Sequence, residues 1–191
     1  MVIEKNGKTL SIEIRECNPR QVNECMGTMI CFHRSYNLGD FHTFKNPDEF
    51  IKWCSENKDN IVSMLPLYLY DHTGITISTE PFYDRWDSGK IGCIYTTKED
   101  VKSFGYDLED KEYIEQRLIE EVEDYDAYLQ NDYIEIYFSL FDDKNDYDYG
   151  TIYGTKSNMK VLLNNISVLD EYPEFRKEVM DIFLNQEMYM E

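Results

Sequence analysis

Histidine, cysteine and carboxylate side chains are the groups here that could hold a metal, move a proton or attack a carbonyl. His33, His42 and His72 lie near Cys31, Asp40 and Asp71, all ligands that zinc would accept. No H-x-x-x-H and no paired-cysteine spacing brings them together, so hydrogen-bonded loop histidines are the plainer reading and no metal is assigned. The run Asp142-Asp143-Lys144-Asn145-Asp146-Tyr147-Asp148 has the composition of a calcium loop but not its register. Starting at Asp142 places Lys144 at the third ligand position, and starting at Asp143 places Tyr147 at the fifth. Ser78 and Ser88 share a region with Asp71 and His72, yet no nucleophile elbow, phosphate loop or dinucleotide fingerprint accompanies them. No catalytic residue and no cofactor is therefore assigned, and the chain is not read as an enzyme.

The carboxylates are the most abundant chemical resource. The chain of 191 residues has 19 basic and 38 acidic side chains, a net charge of −19. Residues 106–150 alone carry sixteen acidic and three basic groups, net −13. Such a surface repels nucleic acid and anionic membrane and attracts basic proteins. The only adjacent basic pair, Arg176-Lys177, is flanked by Glu174 and Glu178, so no cationic stripe could displace counterions from a phosphate backbone. No window approaches a membrane span. The start MVIEKNGKTLSIEI does not read as a secretory signal. Five cysteines, an odd number without a C-x-x-C pair, fit free thiols in the cytoplasm.

The elements that must position these groups are legible from local pattern. Asn6-Gly7 between two apolar-alternating runs predicts a type I′ hairpin. Gly27 to His33 reads as a strand. Asn46-Pro47-Asp48-Glu49 reads as a capped helix start that runs on to about Asn57. Leu65–Tyr70, Ile75–Thr79 and Ile91–Thr96 read as strands, and Thr97 caps a short helix. Lys111 to Gln130 is the strongest helix, with Ile114, Leu118, Val122, Tyr125 and Leu129 on one face. Tyr133–Phe141 alternates as a strand with a partner at Thr151–Thr155. Helices follow over Asn158–Leu169 and from Pro173 onward. The expected architecture is α+β: a mostly antiparallel sheet with hairpins, packed against the long acidic helix and two C-terminal helices. It is read as one domain over 1–191, with 151–191 readable as a helical C-terminal appendage.

LPLYLYDHTGITISTEPFYDRWDSGKIGCIY at Leu65–Tyr95, with GTMICFHRSYNLGD at Gly27–Asp40, resembles a family of small proteins encoded by bacteriophages and other mobile elements. Its members carry a PLYLYDHSGIT…WDSGQVG-like core. The resemblance covers roughly residues 27–130 and departs at Thr73, where the family has Ser, and at Lys90, where it has Gln. It does not extend beyond Tyr133. It implies a setting rather than a reaction: small acidic proteins of mobile elements often act against host defence, as antirestriction and anti-CRISPR proteins do.

The leading expectation is an inhibitor that mimics nucleic acid and occupies the basic groove of a host defence protein. It would bind neither nucleic acid nor membrane directly. Glu112, Glu115, Glu120, Glu121, Glu123, Asp124, Asp126, Asp142, Asp143, Asp146 and Asp148 would form its binding surface. Tyr125, Tyr128, Tyr133, Tyr147 and Tyr149 would serve as rigid anchors. A second expectation is a protein that binds or cleaves a nucleotide signal with the Asp71–His72 and Trp86–Gly89 loops, using Asp71, His72, Trp86, Asp87 and Ser88. The blander version of those loops has Asp71 bonding backbone amides, Gly74 at positive φ and Trp86 filling the core. A third expectation is an acidic housekeeping interaction protein of the element, whose charge serves solubility.

Overall fold

The computed structural model describes residues 1–84, 86–142 and 147–187, with the side chains of Asp142, Tyr147 and 184–187 left aside. Asp143 and Asp146 lie outside the described residues. In chain order the elements are β1 (Val2–Lys5), β2 (Lys8–Glu16), α1 (Pro19–Val22), β3 (Thr28–Cys31), α2 (Pro47–Asn57), β4 (Ile61–Asp71), β5 (Ile75–Ser78) and β6 (Ser88–Thr97). There follow α3 (Lys98–Ser103), α4 (Lys111–Leu129), β7 (Tyr133–Asp142), β8 (Tyr147–Thr155), α5 (Met159–Asn164), α6 (Val168–Glu171) and α7 (Pro173–Glu187). The fold is α+β, with hairpins and C-terminal helices.

The chain divides into two compact units, 1–17 with 131–191, and 18–130, where the sequence reads one domain with one sheet. Each unit has its own four-stranded antiparallel sheet.

The first unit has the order β1-β2-β7-β8. Asn6 and Gly7 take φ 53° and 74°, the pair of positive values a type I′ turn requires. Leu10 and Ile12 of β2 and Ile134, Ile136, Phe138 and Leu140 of β7 present one face of the sheet. Leu162, Leu163, Ile166, Val168, Leu169, Phe175 and Val179 cover it. Residues 151–191 are thus part of this core rather than an appendage. The helix expected over Asn158–Leu169 is broken: α5 ends at Asn164, and α6 starts at Val168. The break lets Leu162, Leu163, Ile166, Val168 and Leu169 all be buried, which no single straight helix face could do. Asn164 and Asn165, poor helix formers, mark the place.

The second unit has the order β3-β6-β4-β5 and is covered on both faces. Met29, Leu67, Leu69, Ile77 and Ile94 meet Ile114, Leu118, Val122 and Tyr125 of α4. On the other face Ile30, Cys93 and Tyr95 meet Phe50 of α2, with Phe44 and Trp53 alongside. Side chains alternate across a strand, so Ile94 serves one core while Cys93 and Tyr95 serve the other. Gly92 permits this close packing of strands: a Cβ there would lie 1.8 Å from the Ile30 carbonyl oxygen. Asn46 caps α2 by accepting from the Glu49 amide, and Thr97 with Asp100 forms a reciprocal capping box on α3.

Candidate functional site

The two loops of the Leu65–Tyr95 motif meet. The Asp71 amide donates to the Asp87 carbonyl at 2.8 Å, which ties the end of β4 to the start of β6. His72 Nδ1 lies 2.9 Å from Asp87 Oδ2, and the Tyr36 hydroxyl donates to Asp71 Oδ2 at 2.9 Å. That hydrogen bond, made to a carboxylate, raises the Tyr36 hydroxyl above its ordinary range. Asp84 turns the second loop: its Oδ1 accepts from the amides of Trp86 and Asp87, and its carbonyl accepts from the Ser88 hydroxyl. Asp71, His72, Asp87 and Ser88 are therefore brought together, and all but His72 line a cleft region of about 600 Å³ whose walls also include His33, Arg34, Trp86 and Lys90.

Three local expectations are corrected here. Trp86 does not fill the core; it is 94% exposed, because the Asp84-centred turn aims it outward. Gly74 is not at positive φ, since the turn closes through His72 N to Gly74 O instead. Asp71 holds a tyrosine hydroxyl rather than backbone amides.

The carboxylates of α4 divide by helical phase. Glu112 and Glu123 are exposed on the outward half, where Glu120 pairs with Arg117 at 2.9 Å, whereas Glu115 is exposed on the flank of the helix and accepts from the Ser63 hydroxyl of β4 at 3.5 Å. Glu121 was expected among them and is instead 5% exposed. It lies three residues after Leu118 and four before Tyr125, on the buried stripe. Its Oε1 accepts from the Met26 amide at 2.7 Å, and its Oε2 accepts from the Gly27 amide at 3.1 Å and from Arg20 at 2.8 Å. Arg20 is itself buried and also donates to both oxygens of Asp40 and to the Gly27 carbonyl. Burial works against the Arg20 charge, and the bonds to Asp40 outweigh it, so its pKa is raised.

Asp126 is also occupied, accepting from the Ile77 amide at 2.7 Å. Burial pushes its carboxyl up, as it does that of Asp124. Asp126 is therefore not free surface charge. Asp142 and Asp148 belong to the hairpin of the other unit. Of the expected anchors, Tyr125 and Tyr133 are buried, whereas Tyr149 is 64% exposed. The Tyr125 hydroxyl instead accepts from the Gly39 amide.

Sequence reasoning missed Arg20, Arg34 and Lys90. Arg20 sits beside a capping Asn18 in a four-residue helix too short to show periodicity, and the only signal was a basic residue next to the Asn18-Pro19 helix start. The histidines go separate ways. His33 Nδ1 accepts from the amides of Ser35 and Tyr36, and His42 Nε2 contacts the Cys31 carbonyl. Among the described residues no three His, Cys, Asp or Glu side chains converge as metal ligands. The five cysteines are free. Burial pushes Cys25 to about 11, and Cys31 and Cys93 to about 12, so these three are poor nucleophiles near neutral pH. No described helix is long and apolar enough to cross a membrane. Comparison of the chain with protein-family models, curated proteins and solved structures gives no match.

Proposed function

We propose that this chain is a binding protein of a mobile element that inhibits a host defence protein by covering its basic nucleic-acid-binding groove. One observation carries the reading. α4 presents Glu112 and Glu123 on its outward half and Glu115 on its flank, all exposed and without ion pairs among the described residues, on a chain of net charge −19. Glu112 and Glu123 are eleven residues apart, about 16 Å along the helix axis. Each strand of a duplex carries a phosphate every 3.4 Å or so of axis, about five over that length. With Glu120 included, α4 offers four carboxylates, close to the density of one strand and below that of a duplex. The partner surface that fits is therefore a groove for a single strand, or for one backbone of a duplex.

The test uses the intact chain as bait in a host lysate, at low and at high salt. The expected capture is a nucleic-acid-binding defence protein, released by salt and displaced by DNA or RNA, because exposed charges are screened within about 8 Å at physiological ionic strength. Glu112→Lys/Glu115→Lys/Glu123→Lys should abolish that capture, chiefly by slowing association. Capture that survives both salt and the triple variant removes α4 as the recognition surface.

A further inference from the structure

Four of the described arginines, Arg15, Arg20, Arg117 and Arg176, have a carboxylate within ion-pair distance. Arg34 has none, and neither has Lys90. Lys90 shares this with other exposed lysines such as Lys98 and Lys102, whereas Arg34 is the exception among the described arginines, and the two cations line one cleft. A β-bulge contributes to the placement: β4 and β6 shift register between Leu67 and Tyr68, passing over Ile91, just beside Lys90. Bulges of this kind re-aim the neighbouring side chain.

The same cleft carries an exposed indole, that of Trp86. It also carries acceptors with capacity to spare. Tyr36 and His72 engage only the Oδ2 atoms of Asp71 and Asp87, which leaves each Oδ1 available. His33 accepts two amides at Nδ1, so the neutral ring holds its proton at Nε2 as a donor. A volume of about 600 Å³ is within the range of small-ligand sites.

We propose that the cleft between the Asp71–His72 and Trp86–Gly89 loops binds a nucleoside monophosphate, with the base stacked on Trp86, the phosphate held by Arg34 and Lys90, and the sugar hydroxyls donating to Asp71 and Asp87. This site is separate from the acidic face of α4 and does not depend on it. The three parts of the ligand match the three kinds of group present. A guanidinium and an ammonium recognise phosphate. An exposed indole offers a stacking surface for any base. Carboxylate oxygens accept from vicinal hydroxyls. The phosphate count follows from charge: Arg34 and Lys90 are balanced by Asp71 and Asp87, and the chain as a whole repels anions, so a triphosphate is disfavoured.

The experiment titrates the full chain with AMP, GMP, CMP and UMP, and with ATP and inorganic phosphate, by calorimetry and tryptophan fluorescence. At least one monophosphate should bind and quench fluorescence, with ATP and inorganic phosphate about tenfold weaker or more. Trp86→Ala should weaken that binding about tenfold and remove the quench, as loss of one stacking contact does. Arg34→Ala should weaken it about tenfold through loss of a charged hydrogen bond. Both side chains are exposed and unpaired, so unchanged melting temperatures are expected to confirm intact folding. The proposal is overturned if no monophosphate binds at millimolar concentration, if ATP or phosphate binds as tightly, or if both variants bind like the parent.

Discussion

Each unit covers a four-stranded antiparallel sheet, and the two do so by different chemistry. In the first, the cover is apolar throughout: Leu162, Leu163, Ile166, Val168, Leu169, Phe175 and Val179 meet the sheet. In the second, α4 brings a buried carboxylate as well, and the buried polar residues Ser63, Thr96 and Glu121, with the buried guanidinium of Arg20, belong to this unit. Apolar contact is non-directional and tolerates small rotations of a helix. Bonds from Glu121 to the Met26 and Gly27 amides and to Arg20 are directional, and they set the rotation of α4 about its axis. Whichever carboxylates α4 shows to solvent are chosen by that rotation. The unit with the polar node is also the one with the motif loops and the cleft.

Substitutions that attack each kind of cover sharpen this contrast. The largest expected loss is in the first unit. Phe175→Ala empties a fully buried ring position and should cost about 4 kcal/mol in urea unfolding, the range for such cavities. A cost near zero would mean that the C-terminal helices are not part of the core.

Glu121→Ala comes next, at about 3 kcal/mol, because it strands the Met26 and Gly27 amides and leaves Arg20 with Asp40 as its one remaining carboxylate. Glu112→Ala, on the outward half of the same helix, should change stability by no more than about 0.5 kcal/mol. Equal effects of the two would break the distinction between the inner and outer carboxylates.

The smallest effect concerns Asp126 and has a pH signature. Burial raises its folded-state pKa above that of the unfolded chain. Its contribution to stability is therefore fully present below the unfolded value and is lost as pH rises through the folded value. Asp126→Asn keeps an oxygen for the Ile77 amide and removes that loss. Its stability relative to the parent should improve as pH is raised from 4 to 7. Asp126→Ala, which strands the amide, should cost about 1 kcal/mol instead. A pH-independent difference between Asn variant and parent would show that Asp126 does not titrate differently on folding.

Much of the local structure could be read directly. Asn6-Gly7, Asn46-Pro47 and Thr97-Lys98-Glu99-Asp100 form the turn and caps expected of them, and the Ile114–Leu118–Val122–Tyr125 stripe is buried. Glu121 shows where such reading failed although the signal was present. Its spacing from Leu118 and Tyr125 places it on the buried face while its charge argues for the surface, and the buried Arg20 that decides for the spacing is remote in sequence. Trp86 failed in the opposite sense: a large apolar ring argued for the core, but a turn built on Asp84 offers no periodicity to test that.

By itself the sequence determined what depends on neighbours within about four residues: turns, caps, helix phase and the acidic excess. Such features take their energy from bonds and sterics inside the segment. Tertiary structure alone decided the division into two units, since β2 pairs with β7 across the whole of 18–130. It alone decided that Glu121 is stabilised inside, because its partner Arg20 is 101 residues away in the chain. It alone brought Arg34, Lys90, Trp86 and the two aspartates to one cleft. Whether a charge is buried, paired or left free is set by the groups around it in space, and local pattern carries no record of those.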